Sequence, residues 1–317
     1  MDRVVPRFVG YRPEVDLGRL VPRAIGGGYR FRLSGGTLTR LDETLQVDGS
    51  RDVWLPPRAR LLTVSDDLGC FVAADEEVLL IVGDEVRVFD VAAADSAVFL
   101  DDDRLLVSAP DADVELRQHE VFLVDCASAS VVDRVTLDVG ASVEALVHPT
   151  DGSVVLEAAE GEDGSHIFVV RRLGDRLEVE LVGQDMVAAD FSPSGSRLLV
   201  TPHLSLVDDE VMVFDWPAMT RRDRLTGEQA GRDEDDDIFF HTYGCFLDED
   251  RILLLTNTNG VLLCEDDLKR RTPLDLSAAP QVPEAEVAAL YGLSPTTFAV
   301  RLWQNRRLVT AVWAIGP

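Results

Sequence analysis

Short runs of Val, Leu, Ile and Phe recur along the chain, and clusters of Gly, Asp, Ser and Pro separate them. Apolar residues at helical spacing are scarce. Short apolar runs bounded by turn-forming residues are typical of β-strands joined by tight turns. The hydrophobic pattern therefore predicts a protein that is nearly all β.

Two of these strand-like runs occur repeatedly. The first follows an acidic or Ser-Gly turn each time, as RLLVSAP from Arg104, RLLVTPH from Arg197 and RILLLTN from Arg251. The second alternates apolar residues before a closing Asp or its equivalent, as DEVRVFD from Asp84, HEVFLVD from His119 and DEVMVFD from Asp209. Self-similarity at a regular spacing indicates a repeat architecture. We therefore expect copies of one β unit.

One of these copies resembles a known repeat. FSPSGSRLLV from Phe191, followed by DEVMVFD, is similar to the WD40-like propeller repeat, in which an F-S-P-D-G turn precedes one strand and a W-D-like pair closes the next. Phe214-Asp215 matches the closing pair, with Phe in place of Trp. The Gly-His pair of the family is absent, and the turn survives elsewhere only in fragments such as HPTDG from His148 and LSPT from Leu293. The resemblance covers about residues 60 to 315 and implies a β-propeller.

The spacing of the repeat sets the number of blades. The residues that open the second strand of each blade are placed at Tyr29, Cys70, Arg104, Ser153, Arg197, Arg251 and Thr297. From the first to the last are 268 residues over six intervals, about 45 per blade, near the length of a WD40 repeat. We predict an all-β, seven-bladed β-propeller with four-stranded antiparallel blades.

Two details of this assignment are further expectations. Six blades remain possible, because the strands YRFRLSG and TLTRLDETLQV of the first blade match no repeat string. DEVRVFD is counted as an outer strand, since only about a dozen residues separate it from the next repeat. A strand near Val4 to Tyr11 is expected to complete the last blade, so that residues 1–317 form one domain without exposed sheet edges.

The charge of the chain narrows the range of partners. Its formal net charge is -27 and its pI is about 4.4, so its field repels phosphate backbones and anionic headgroups. We therefore expect neither nucleic-acid nor membrane binding. No apolar run reaches the ~20 residues of a membrane span and no secretory signal is recognisable, so the expected location is the cytoplasm.

Motifs that would identify an enzyme are incomplete. Gly26-Gly27-Gly28 precedes a predicted strand and does not open a helix, and His119-Glu120 lies in an alternating, strand-like segment. The acidic run 233–237 begins like a calcium loop, but Ile238 stands where that loop requires Gly. The four cysteines form no C-x-x-C pair and are predicted to be buried in strands. No cofactor is expected, and the sequence does not decide whether a metal is bound.

The candidate site follows from the expected fold. The long loops 108–118, 157–165, 201–208 and 226–239 would share one face around the mouth of the propeller channel, where repeat proteins tend to bind. The candidate binding residues at this face are His119, His166, His203, Asp209, His241 and Tyr243. The segment 239–243 would place an aromatic ring and an imidazole near the channel, or would plug it. The four tryptophans are interpreted as packing residues.

Two functions remain open at this point. The first is a non-enzymatic scaffold whose loops bind another protein with a basic surface, and for it we expect a monomer. The second is a propeller enzyme or a small-ligand or metal-binding protein, similar to propeller hydrolases and lactonases. It would use His241, Tyr243 and His203 with acids such as Asp185 and Asp209.

Overall fold

Twenty-eight β-strands make up nearly all of the regular structure among the described residues. The computed structural model describes residues 4–12, 15, 21–22, 30–34, 36–56, 58–65, 67–111, 118–140, 142–161, 164–203, 209–231, 239–256, 260–265, 268–279, 286–304 and 307–316. The strands form seven antiparallel sheets of four strands each. We call these sheets blades 1 to 7 in chain order. Backbone contacts divide the chain into a four-blade unit (residues 21–41 and 47–184) and a three-blade unit (residues 1–20, 42–46 and 185–317).

The first strand of the chain, β1 (Arg7–Arg12), belongs to the three-blade unit. The four-blade unit contains blades 1 to 4, each with its strands hydrogen-bonded in chain order. Blade 1 consists of β2 (Val21–Pro22), β3 (Arg30–Ser34), β4 (Thr37–Leu41) and β5 (Val47–Asp52). Blade 2 consists of β6 (Arg60–Val64), β7 (Cys70–Ala74), β8 (Glu77–Val82) and β9 (Glu85–Ala92). Blades 3 and 4 consist of β10 (Ser96–Phe99), β11 (Arg104–Pro110), β12 (His119–Asp125), β13 (Ser130–Leu137), β14 (Val143–Val147), β15 (Val154–Ala159), β16 (Ser165–Leu173) and β17 (Arg176–Gln184).

The three-blade unit contains blades 5 to 7. Blade 5 consists of β18 (Met186–Phe191), β19 (Arg197–Pro202), β20 (Glu210–Asp215) and β21 (Thr220–Thr226), followed by a one-turn helix, α1 (Gly227–Ala230). Blade 6 consists of β22 (Phe240–Phe246), β23 (Arg251–Thr256), β24 (Val261–Glu265) and β25 (Arg270–Pro273), followed by a 3-10 turn over Leu276–Ala278. Blade 7 consists of β26 (Glu286–Ser294), β27 (Thr297–Gln304), β28 (Arg307–Ala314) and β1.

The strand β1 is the outer strand of blade 7. It pairs antiparallel with β28, with Arg7 opposite Ala314 and Arg12 opposite Thr310, and a bulge lies between Phe8 and Gly10. The N-terminal and C-terminal strands of the chain are therefore hydrogen-bonded in one sheet.

The predicted second strands agree with the observed ones to within one residue. They begin at Arg30, Cys70, Arg104, Val154, Arg197, Arg251 and Thr297. The seven-blade prediction is confirmed, and the six-blade alternative is wrong because blade 1 forms a complete four-stranded sheet. The DEVRVFD segment is in β9, the outer strand of blade 2, as expected.

The middle strands are buried on both faces, which explains why they are the most recognisable part of the repeat. All six residues of β19 are buried, and five of the six residues of β23. Outer strands such as β9 alternate between buried and exposed positions instead. A strand with both faces covered is apolar along its whole length, so its sequence repeats clearly.

The arginine that opens the repeated RLLV-type strand joins one blade to the next. Arg104 contacts Asp125 of its own blade and Asp175 of blade 4, with Nη2 3.1 Å from Oδ1. Arg251 donates to two carbonyl oxygens of blade 7, Gly316 O at 2.9 Å and Pro295 O at 3.0 Å. A guanidinium has five donors in a fixed plane and can bind several acceptors at once, which an ammonium cannot do in this geometry.

The four tryptophans divide into two classes. Trp313 is fully buried and stacks on Phe298 with ring centroids 5.8 Å apart, and Trp216 is buried as well. Trp54 is 75% exposed and Trp303 is 45% exposed. The prediction that all four are packing residues is therefore wrong for these two, which lie at strand ends where the neighbouring elements do not cover the indole.

Candidate functional site

His119 is part of a buried polar network in blade 3. Its side chain is 1% exposed, and its Nε2 lies 3.2 Å from Oδ1 of Asp95. The Ser108 hydroxyl donates to the same oxygen at 3.3 Å, and the backbone N–H of Val143 donates to Oδ2 at 3.0 Å. This arrangement satisfies polar groups of blade 3 and of the neighbouring strand β14 of blade 4. The imidazole offers almost no surface to a ligand.

His166 also lies in the four-blade unit and is half-buried. Its Nδ1 is 3.3 Å from Oε2 of Glu160, and its ring stacks on Phe168 with centroids 6.2 Å apart. Neither His119 nor His166 belongs to the unit that contains the other four predicted residues. Of the six predicted residues, the described contacts bring His241 and Tyr243 together.

Asp209 connects blade 5 to the start of blade 6. Its carboxylate is buried and accepts the backbone N–H of Phe239 at 3.0 Å and that of Phe240 at 2.8 Å. Gly227 permits this close approach, because a Cβ at that position would lie 2.8 Å from Cγ of Asp209 and 2.9 Å from Cβ of Phe239. Both oxygens are thus used to hold the backbone that leads into β22.

His203 follows β19 directly and is half-buried. Parts of the predicted binding loops fall outside the described residues, namely 112–117, 162–163, 204–208 and 232–238. The glycine run 26–28 and the acidic run 233–237 fall outside them too.

Three aromatic rings form a row on the first strands of blades 6 and 7. The imidazole of His241 stacks on Tyr243, with centroids 6.0 Å apart and planes 29° apart. Tyr243 on β22 is in turn 6.0 Å from Tyr291 on β26, at an interplanar angle of 49°. All three residues are half-buried. We call His241, Tyr243 and Tyr291 the ring row.

The ring row borders the hydrophobic core, against which Tyr243 packs. Phe239 and Phe240, just before it, are buried and meet edge to face with centroids 5.1 Å apart. These two residues pack the core, while the ring row retains partial exposure. The backbone between its first two members is fixed by Thr201, whose hydroxyl donates to the carbonyl oxygen of Thr242 at 2.7 Å.

The electrostatics of the ring row depend on His241 and Glu286. Burial lowers the pKa of His241 below its usual 6.5, and the nearby Glu286 carboxylate partly opposes that shift. Nδ1 of His241 has no hydrogen-bond partner among the described residues. Glu286 is exposed, opens β26 and lies opposite the exposed Trp303 in the sheet. At neutral pH the site therefore combines three uncharged rings with one carboxylate.

Tyr291, Glu286 and Trp303 were not among the predicted site residues. Tyr291 lies 48 residues after Tyr243 in the sequence, so only an alignment of the first strands to one another could have linked them. Such an alignment is possible in principle, because each first strand precedes a recognisable second strand by a short turn.

The described ranges show neither a grouped metal site nor a membrane helix. No three His, Cys, Asp or Glu side chains among them are grouped so that they could hold a metal ion. No helix within them has the length and apolar character needed to cross a bilayer.

Comparison with solved structures identifies the fold. No family model matches the sequence, and no curated protein matches it either. Among solved structures, the β-propeller domain of Cps50 (Swd1) from Myceliophteria thermophila is 13% identical with a TM-score of 0.58, covering 98% of this chain and 100% of that one. The RRP9 WD40 repeats are 13% identical with a TM-score of 0.59, covering 99% and 100%.

The chain has a WD40-like β-propeller fold. A third solved structure, YCF48 bound to D1 peptide, is 10% identical with a TM-score of 0.59, covering 100% of this chain and 98% of that one. The resemblance to the WD40-like repeat inferred from the sequence is thereby confirmed. At these identities the likeness concerns the propeller fold alone.

Proposed function

We propose that this propeller is a non-enzymatic interaction scaffold that binds a partner protein with a basic surface. The observation that carries the proposal is the half-buried ring row beside the exposed Glu286, on a chain with a net charge of -27. Partly exposed aromatic residues are enriched in protein interfaces. A strongly negative field draws a basic partner towards them and accelerates association.

The structural neighbours support a binding role of this type. One is a β-propeller domain, one consists of WD40 repeats, and the YCF48 structure contains a bound D1 peptide. Because one fold hosts many functions, the proposal for this chain depends on its own ring row.

A second function rests on a different property of the same residues. His241 has a lowered pKa and an Nδ1 without a described partner, and a neutral imidazole can act as a base or metal ligand. This feature supports the alternative of a hydrolase- or lactonase-like enzyme, or a metal-binding protein. Elemental analysis of freshly purified protein tests it: a stoichiometric metal that is lost in His241→Ala would replace the scaffold proposal.

The proposal also includes the form and location of the protein. We expect a monomeric cytoplasmic protein in which residues 1–317 act as one domain, and which binds neither nucleic acid nor membranes. Light scattering at low and high salt tests the monomer. A single calorimetric transition tests the single domain, and titration with duplex DNA and anionic vesicles tests the two excluded partners.

The scaffold function is tested by partner capture followed by reconstitution with the purified partner. We expect a basic partner whose affinity falls with salt, and whose binding weakens by about 10-fold or more in Tyr291→Ala, a typical loss for an aromatic contact. Trp54→Ala is the matched control, since Trp54 is an exposed aromatic residue of the other unit. Equal losses in the two variants, or a partner without basic character, would contradict the proposal.

A further inference from the structure

We propose that the ring row and Glu286 form a recognition site for one cationic side chain, arginine or lysine, of the partner protein. This inference rests on the proposed scaffold function and specifies its ligand. It concerns residues of the three-blade unit only.

The spacing of the rings suits a cation. Guanidinium and ammonium groups are attracted to an aromatic face when they lie within about 6 Å of its centroid. The centroids of His241 and Tyr291 are each 6.0 Å from that of Tyr243. A cation against Tyr243 can therefore lie within this range of a second ring at the same time.

The charges around the rings favour the same ligand. Glu286 is the exposed carboxylate that acts electrostatically on His241, and it opens the strand that carries Tyr291. The imidazole is kept neutral by burial, so it does not repel a cation near pH 7. A cation bound against His241 would gain both the ring contact and the attraction of the carboxylate.

The strength of these contacts indicates a protein side chain and not a free cation. A cation–π contact strengthens binding by roughly 2- to 30-fold, depending on desolvation. Such a factor is too small to hold a free cation at micromolar concentration. It is sufficient to select a basic residue within a partner that makes further contacts, as anchor residues do in interfaces.

Fluorine NMR can test the site, because the chain contains only four tyrosines, at positions 11, 29, 243 and 291. We would label the protein with 3-fluorotyrosine and assign the signals with Tyr→Phe variants. The probes are two Gly-Ser peptides that differ at one position, arginine in one and citrulline in the other. Citrulline keeps the shape of arginine and removes its charge.

The expected result is a saturable shift of the Tyr243 and Tyr291 signals at about millimolar and higher concentrations of the arginine peptide, no shift of Tyr11, and no shift with citrulline. Glu286→Gln should weaken binding of the arginine peptide by about 3- to 5-fold, the range of an exposed ion pair. Glu178→Gln, which changes an exposed glutamate of the four-blade unit, should leave the affinity within about 2-fold.

Two results would overturn the inference. The first is unchanged Tyr243 and Tyr291 signals at saturating arginine peptide, and the second is equal shifts with citrulline. If the reconstituted partner still loses affinity in Tyr291→Ala, the scaffold proposal survives and only the cation site is wrong. If Tyr291→Ala has no effect on the partner either, both proposals fail.

Discussion

Arg197 on β19 forms an ion pair with Glu249 in the turn between β22 and β23, with Nη2 3.0 Å from Oε2. The same guanidinium contacts the carbonyl oxygen of Glu249 and lies 5.4 Å from the centroid of Phe246. Arg197 is 9% exposed. The first residue of the RLLV motif in blade 5 therefore anchors blade 6, as Arg104 and Arg251 anchor the blades that follow theirs.

Replacing Arg197 should destabilise the protein. Arg197→Ala leaves the carbonyl of Glu249 without this donor and should cost about 2–4 kcal/mol of unfolding free energy. Arg197→Lys should recover less than half of that loss, because one ammonium cannot reproduce both contacts and the ring packing. Urea unfolding followed by tryptophan fluorescence measures both values.

The control is Arg270→Ala, since the Arg270 side chain is 71% exposed and its Nη2 lies 3.8 Å from Oε2 of Glu265. Exposed pairs of this kind contribute about 0–1 kcal/mol. A loss in Arg197→Ala as small as that in Arg270→Ala would show that the repeated arginine does not link the blades energetically.

Asp209 should contribute strongly to stability. Asp209→Ala removes the acceptor for two backbone N–H groups, those of Phe239 and Phe240, and should cost about 2–4 kcal/mol. Asp84→Ala, at a fully exposed position, should change stability by less than about 0.5 kcal/mol. Thermal unfolding of both variants decides the point. A small effect at Asp209 would argue against this structural role and favour its predicted role as a binding residue.

His241 should make the fold less stable in acid. Its pKa in the folded protein lies below 6.5, so the unfolded chain takes up the proton at a higher pH than the folded one. Stability therefore falls as the pH drops through about 6.5 towards the folded pKa, and this contribution is constant below it. Between pH 7.5 and 5.5, the urea midpoint of His241→Gln should fall by less than that of the unmodified protein. Parallel midpoints would exclude this contribution.

The thiols should be nearly inert in the native state. Burial raises the pKa of Cys126 and Cys264 to about 12 and that of Cys70 to about 11. Because the thiolate is the nucleophile, these three thiols should react only slowly with iodoacetamide at about pH 8. All four cysteines should react in about 8 M urea, which unfolds the protein. Mass spectrometry counts the modified thiols. Fast stoichiometric modification of Cys126 or Cys264 in the native protein would contradict the burial.

The strands that could be predicted from the sequence are those with both faces buried. Second strands such as β19 and β23 are covered on both faces, so their apolar sequences repeat and their starts were located to within one residue. First strands such as β26 have mixed burial. Their sequences diverge for that reason, and Tyr291 remained unrecognised.

The site was less predictable because exposure depends on neighbouring elements. His241 and Tyr243 were identified from one local segment, whereas their association with Tyr291 and Glu286 requires two blades to meet. His119 was placed correctly at the start of a third strand, but strand position does not reveal that its ring turns inward to Asp95. Nor does the sequence indicate that the Trp303 side chain is exposed.

The most direct test of the proposed binding site is hydrogen–deuterium exchange of the protein with and without its basic partner. β22 and β26 are the first strands of their sheets and pair with one strand each, so part of their backbone can gain protection on binding. We predict slower exchange over Phe240–Phe246 and Glu286–Ser294 in the complex. Protection confined to blades 1 to 4, with these two strands unchanged, would contradict the account.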